Sequence, residues 1–167
     1  MKTEFFPQTE LVPCYRERKQ DRCSECRLDQ AVRRMPNDYD ANIEALVHEV
    51  LDPARCILGL PIRINSGFRC LIHNTAVGGA KNSQHTLGQA ADLSVGSPEA
   101  NLRLARILAA GIYDQMILYV NSVDSLAPRF IHVSYRRDGS NRHQILKQIA
   151  GQSGYVAVKN EELKVNI

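Results

Sequence analysis

The chain has 167 residues, 44% of them hydrophobic and 23% charged, the balance of one globular domain large enough to bury a core without disulfide or metal staples. Its formal charge of +3 comes from lysines and arginines scattered along the sequence, so no nucleic-acid partner is expected, although mild basicity suits an anionic polymer such as a cell wall. No apolar run approaches the roughly 18–20 residues of a membrane span, and Met1–Pro7 lacks the apolar stretch of a secretory leader, so the chain is expected to be cytoplasmic as synthesised.

Residues 1–37 are polar, are punctuated by Pro7, Pro13 and Pro36, and read as a lead-in with one short helix near Ser24–Arg34. Asp38 or Asp40 can cap a longer helix, because Ile43, Leu46, Val47, Val50 and Leu51 recur at helical spacing. Pro53 interrupts or restarts that helix and Gly59 ends it. Pro61–Ser66 alternates like a strand, and Gly67 and Gly78-Gly79 mark turns.

A second strand is expected at Ala90–Val95, with Ala91, Leu93 and Val95 on one side and Asp92 on the other. Ser97-Pro98-Glu99 opens a helix whose Leu102, Ala105, Ile107 and Leu108 face the core, with Gly111 beyond its end. Strands follow at Gln115–Val120 and Phe130–Tyr135, and Arg142–Ala150 reads as a final helix. The elements do not alternate strictly, so the expected class is α+β, a mixed or antiparallel sheet packed by helices. The domain is expected at 38–155, with 156–167 as a tail.

Cys14, Cys23 and Cys26, the last two in one CxxC, leave three readings open: reduced thiols, ligands of a second, structural metal, or a disulfide. Cys56 and Cys70 bring the count to five. Among the histidines, His48 lies on an exposed helix flank. His73 follows a turn, and His143 is read as a capping or surface residue.

His85, Asp92 and His132 form the constellation with chemical content. Two imidazoles and one carboxylate are the set that holds a catalytic zinc while leaving a position open for water. If the strands carrying Asp92 and His132 are neighbours, the two side chains share the sheet face opposite the aliphatic one. The loop containing Gly88 can then fold back and aim His85 at the same point. A zinc so held generates hydroxide at neutral pH and polarises a carbonyl, the chemistry of amide hydrolysis.

Ser83-x-His85-x-x-Gly88-x-Ala90-x-Asp92 resembles the signature of the zinc D-Ala-D-Ala carboxypeptidases and L-alanyl-D-glutamate endopeptidases of bacteria and phages, which share the hedgehog-type D,D-peptidase fold. Similar stretches are Ile64–Arg69, Asn74–Ser83, Tyr113–Ile117 and Phe130–Ser134, and the likeness covers roughly residues 40–146. The resemblance implies that His85, Asp92 and His132 bind Zn2+. It also implies that Arg69 steadies an oxyanion or a substrate carboxylate and that Ser83 binds the substrate peptide.

The same resemblance implies a zinc metallopeptidase acting on peptidoglycan stem peptides. Such an enzyme would be a monomer with no membrane span, a phage lysin freed by a partner or an intracellular recycling enzyme.

One departure stands out. The family's general base, a carboxylate, is commonly three residues before the last histidine, and here Arg129 holds that place. The alternative position on the preceding strand is Tyr119, which leaves Asp114, read as structural, and Asp124 as stand-ins. The base is therefore unassigned, and a catalytically weak zinc-binding module that binds wall peptides or a protein partner is the alternative reading. A regulatory protein built on the cysteine cluster is a third.

Overall fold

The computed structural model describes residues 5–6, 8–11 and 38–163. The expected helix near Ser24–Arg34 and the cluster Cys14, Cys23 and Cys26 lie outside the described residues. After a short turn of helix, α1 (Gln8–Leu11), a long helix runs as α2 (Asp38–Leu46), one π-helical turn (Val47–Leu51) and α3 (Asp52–Leu58). The wide turn has a cause in the sequence. Pro53 lacks an N–H and crowds the preceding turn, and the backbone N–H of Asp52 reaches back to Val47 O instead. Gly59, at φ 71°, closes α3 by donating to Arg55 O.

Six strands make one sheet in the order β1-β2-β4-β3-β5-β6. They are β1 (Arg63–Ser66), β2 (Ala90–Ser94), β3 (Gln115–Val120), β4 (Phe130–Ser134), β5 (Gln144–Ile149) and β6 (Val156–Ala157). Every neighbouring pair is antiparallel except β3 and β5, so the sheet is mixed and the α+β expectation holds. Between β1 and β2 lie α4 (Leu71–Ala76) and a 3-10 turn (Gln84–Leu87); α5 (Pro98–Ala109) follows β2, and α6 (Asn160–Leu163) ends the described chain.

The helix expected at Arg142–Ala150 is instead a strand. Ile145 and Ile149 stand four residues apart, a spacing a helix shares, but both face the core on the strand, with Leu146 on the other side. Lys147, between the two isoleucines, hid the two-residue period. Pairing with all six residues of β3 gives this segment a complete backbone ladder.

One sheet face packs on the helices. Ala91, Leu93, Met116, Leu118, Ile131 and Val133 meet Leu46, Val47, Leu51, Leu104 and Leu108 there. On α5 the buried stripe is Leu104, Ala105, Leu108 and Ala109, with Leu102 and Ile107 at its margin. Ser97 caps that helix through Ala100 N, as its Ser-Pro-Glu opening suggested. Phe6 and Leu11, ahead of α2, and Val158 and Leu163, after β6, belong to the same core. Among the described residues no helix is long and apolar enough to cross a membrane.

Candidate metal centre

Asp92 on β2 and His132 on β4 are direct cross-strand partners, on the sheet face opposite Ala91, Leu93, Ile131 and Val133. The conditional geometry of the sequence reading is met. His85 arrives from the 3-10 turn after β1. Gly88 ends that turn at φ 70°, where a Cβ would lie 2.6 Å from Tyr39 O, so both backbone conformation and space demand glycine. Helix α2 buttresses the turn from outside, with Asn42 Nδ2 donating to Leu87 O at 2.9 Å.

The three donor atoms form a near-equilateral triangle. His132 Nδ1 lies 3.0 Å from Asp92 Oδ1, and His85 Nε2 lies 3.2 Å from each of them. Four ligands placed tetrahedrally at zinc distances of about 2.0–2.1 Å stand about 3.3 Å apart, so this triangle is close to one face of such a tetrahedron. The protonation pattern fits as well. His85 Nδ1 is 2.7 Å from Gly67 O, a group that can only accept, so Nδ1 carries the hydrogen and Nε2 of the neutral ring presents a lone pair. Lone pairs of His85 and an ionised Asp92 facing each other at 3.2 Å repel unless a proton or a cation stands between them. His85, Asp92 and His132 are the one group among the described residues able to hold a metal ion.

The electrostatics favour ligand forms. Where a proton rather than a cation fills that gap, burial acts to raise the Asp92 carboxyl, but hydrogen bonds from His132 and His85, with the charge of the protonated imidazoles, outweigh it and hold the group well below the usual carboxylate range. Burial also pushes His132 down, toward the neutral imidazole a metal requires, against the pull of Asp92.

Arg69 is in the site in a more anchored role than expected. Its Nη2 donates to Asp92 Oδ2 at 2.7 Å and its Nε to Ser66 Oγ at 2.8 Å, leaving Asp92 Oδ1 to face the imidazoles. Its backbone N–H donates to His85 O, so two site residues share one backbone link. Ser83 sits at the N-cap position of the 3-10 turn, its carbonyl accepting from the N–H and hydroxyl of Thr86, while its side chain makes no capping bond.

The other candidates fall outside the triangle. Asp114 is fully buried and held by Arg142, Arg136 and Gln84, which is the structural place anticipated for it at the start of β3. Asp124 is exposed in the β3–β4 loop. Arg129 is exposed beside the Phe130 ring, and Tyr119 stacks on Phe130 with 4.2 Å between ring centres. His48 pairs loosely with Asp52 on the helix surface, and exposed His143 packs edge-on against Tyr113.

Sequence reasoning missed Gly67, whose carbonyl fixes the His85 tautomer, and Ser66, which steadies Arg69. Both lie in the Ile64–Arg69 stretch, but a backbone carbonyl leaves no side-chain signature. Gln84 was missed too, although it stands between Ser83 and His85.

Known proteins resemble this chain. The profile of the peptidase M15 family matches residues 21–134. Over 37 residues the chain is 57% identical to a zinc D-Ala-D-Ala carboxypeptidase of Streptomyces albus G, a stretch covering 22% of this chain and 14% of that protein.

Proposed function

Because the chain belongs to the peptidase M15 family, we propose that it is a zinc-dependent metallopeptidase hydrolysing amide bonds in peptidoglycan stem peptides. The observation that carries this reading is the triangle of His85 Nε2, Asp92 Oδ1 and His132 Nδ1, with sides of 3.0–3.2 Å. The zinc named in the Streptomyces relative, and its D-Ala-D-Ala substrate, point to the same cofactor and wall-peptide class.

His85, Asp92 and His132 would hold the ion. When bound, zinc at a three-ligand site acidifies a water to a pKa of about 7 and polarises the scissile carbonyl. The chain's own residues do the rest. Gly67 O keeps the His85 lone pair aimed at the centre, and Arg69 keeps Asp92 turned so that one oxygen serves as ligand. The remaining guanidinium donors of Arg69 supply fixed positive charge where a substrate oxyanion or carboxylate would develop. Ser83, at the N-cap position of the 3-10 turn with no capping bond on its side chain, would bind the substrate peptide.

A second reading is favoured by one observation. Neither Arg129 nor Tyr119 can take a proton: the guanidinium is permanently charged, and burial, helped by Tyr155 and Asp92, pushes the Tyr119 phenol up. A member lacking its base would bind metal and wall peptide yet turn over slowly, by about 10²–10⁴-fold. Zinc analysis of the purified protein, coupled to mass spectrometry of digested peptidoglycan, separates the two. Stoichiometric zinc with released amino acids or peptides supports the peptidase, and stoichiometric zinc with intact wall peptides supports the binding module.

A further inference from the structure

Three residues outside the triangle form a closed polar ring against it. Asp114 has no exposed surface, yet its carboxyl is held toward the ionised form by four hydrogen-bond donors and a neighbouring ion pair. Arg142 grips it with Nε on Oδ1 at 2.9 Å, Nη2 on Oδ2 at 2.6 Å and its backbone N–H on Oδ1 at 2.9 Å. Arg136 Nε lies 3.3 Å from Oδ2. The fourth donor is Gln84 Nε2, 2.9 Å from Oδ2, while Gln84 Oε1 accepts from Arg142 Nη2 at 3.4 Å. With a carboxylate on one side and a guanidinium on the other, the Gln84 amide has one orientation.

Gln84 immediately precedes His85 on a 3-10 turn of four residues that has no side-chain cap at Ser83. A single short turn is weakly self-supporting, so its aim depends on what it is tied to. Its backbone is held by Arg69 N on His85 O and by Gln89 N on Gln84 O. Among the described residues, the side chain of Gln84 ties the turn to Asp114, just before β3, and to Arg142, while Asn42 holds Leu87 O from α2. A buried ion pair is weak evidence for stability, because desolvation offsets the attraction, and it is better explained by an arrangement it fixes.

We propose that Gln84 is a positioning residue for the metal centre, transmitting the fixed place of the Asp114–Arg142 pair to the His85 turn and thereby setting metal affinity. The inference rests on His85 being a metal ligand. Partners one step behind a ligand characteristically change affinity by about 10–100-fold when removed.

The test measures zinc dissociation constants of the full chain by competition with a chromophoric chelator. The proteins compared are the wild type, Gln84→Ala, Gln84→Met, Asp114→Asn and the double variant Gln84→Ala/Asp114→Asn, with thermal unfolding of the metal-free proteins as the fold control. Gln84→Ala and Gln84→Met are each expected to weaken zinc by about 10–100-fold while the metal-free melting temperature barely moves. The double variant is expected to bind no more weakly than the weaker single one, since both break the same tie. Wild-type affinity in Gln84→Met, or losses that multiply in the double variant, would overturn the proposal while leaving the zinc site intact. A wild-type protein that takes up no zinc, or one whose zinc survives His132→Ala, would overturn the metallopeptidase reading and this proposal together.

Discussion

Asp92 and His132 stand opposite each other across β2 and β4, with Oδ1 and Nδ1 3.0 Å apart. Their separation is set by the spacing of two hydrogen-bonded strands, and a one-residue slip of either strand would send its side chain to the aliphatic face and part the pair. His132→Ala should therefore remove bound metal and peptidase activity together. The cross-strand pairs flanking it, and hence the far-UV circular dichroism, should remain. Retained stoichiometric zinc in that variant would contradict the assignment.

Arg69 is bonded to the oxygen of Asp92 that does not face the imidazoles. Arg69→Ala should thus weaken zinc by about tenfold or more, because the carboxylate is freed to rotate. It should also lower turnover by about 10²–10³-fold through loss of a charged donor. Arg69→Lys should recover part of the turnover and little of the metal affinity, since an ammonium cannot span Asp92 and Ser66 as a planar fork does. Metal titration and kcat measured on the same preparations check both halves.

Much of this was legible in the sequence, and the failures have physical reasons. Asp92 and His132 were foreseen on one face because residues alternate along Ala90–Ser94 and Phe130–Ser134, with the larger aliphatic residues on the other side. His85 was foreseen because Gly88 marks the turn that returns it. The segment Gln144–Ile149 failed because a lysine occupies one of its inward-facing alternate positions, and because pairing with β3, a non-local contact, decides its state. The anchored role of Arg69 was beyond reach as well: residue type announced a cation near the site, while its partner, Asp92, lies 23 residues away.

Gly67 is packed so closely that a Cβ there would collide with the carbonyl of Leu11, while its own carbonyl holds His85 Nδ1. Gly67→Ala should destabilise the protein by about 1–3 kcal/mol through overpacking. It should weaken zinc beyond what the change in unfolding free energy accounts for, because the displaced carbonyl also sets the His85 tautomer. Denaturant unfolding of the metal-free protein alongside a zinc titration separates the two effects.

Asp114 gives the fold an acid limb. Burial acts to raise its carboxyl, but hydrogen bonds from Arg142 and Gln84 and the Arg142 charge hold it well below the usual range. A depressed carboxylate contributes stability that is complete above its unfolded-state pKa of about 3.9 and is lost as pH falls toward the folded value. Metal-free wild type should accordingly lose stability steeply below about pH 4, and Asp114→Asn should flatten that limb. At neutral pH the same change should cost about 1–3 kcal/mol in charged hydrogen bonds. Urea midpoints between acid and neutral pH test the slope.

The π-helical turn at Val47–Leu51 carries one residue more than an α-helical turn would, and each residue of a helix advances its phase by about 100°. Deleting one residue there would straighten the hydrogen bonding yet rotate α2 against α3. Asn42 would swing away from Leu87, and Tyr39 away from Gly88. The irregular stretch of this helix is thus a phase adjuster, keeping a distant buttress indexed to the His85 turn while the rest of the rod stays locked in the core.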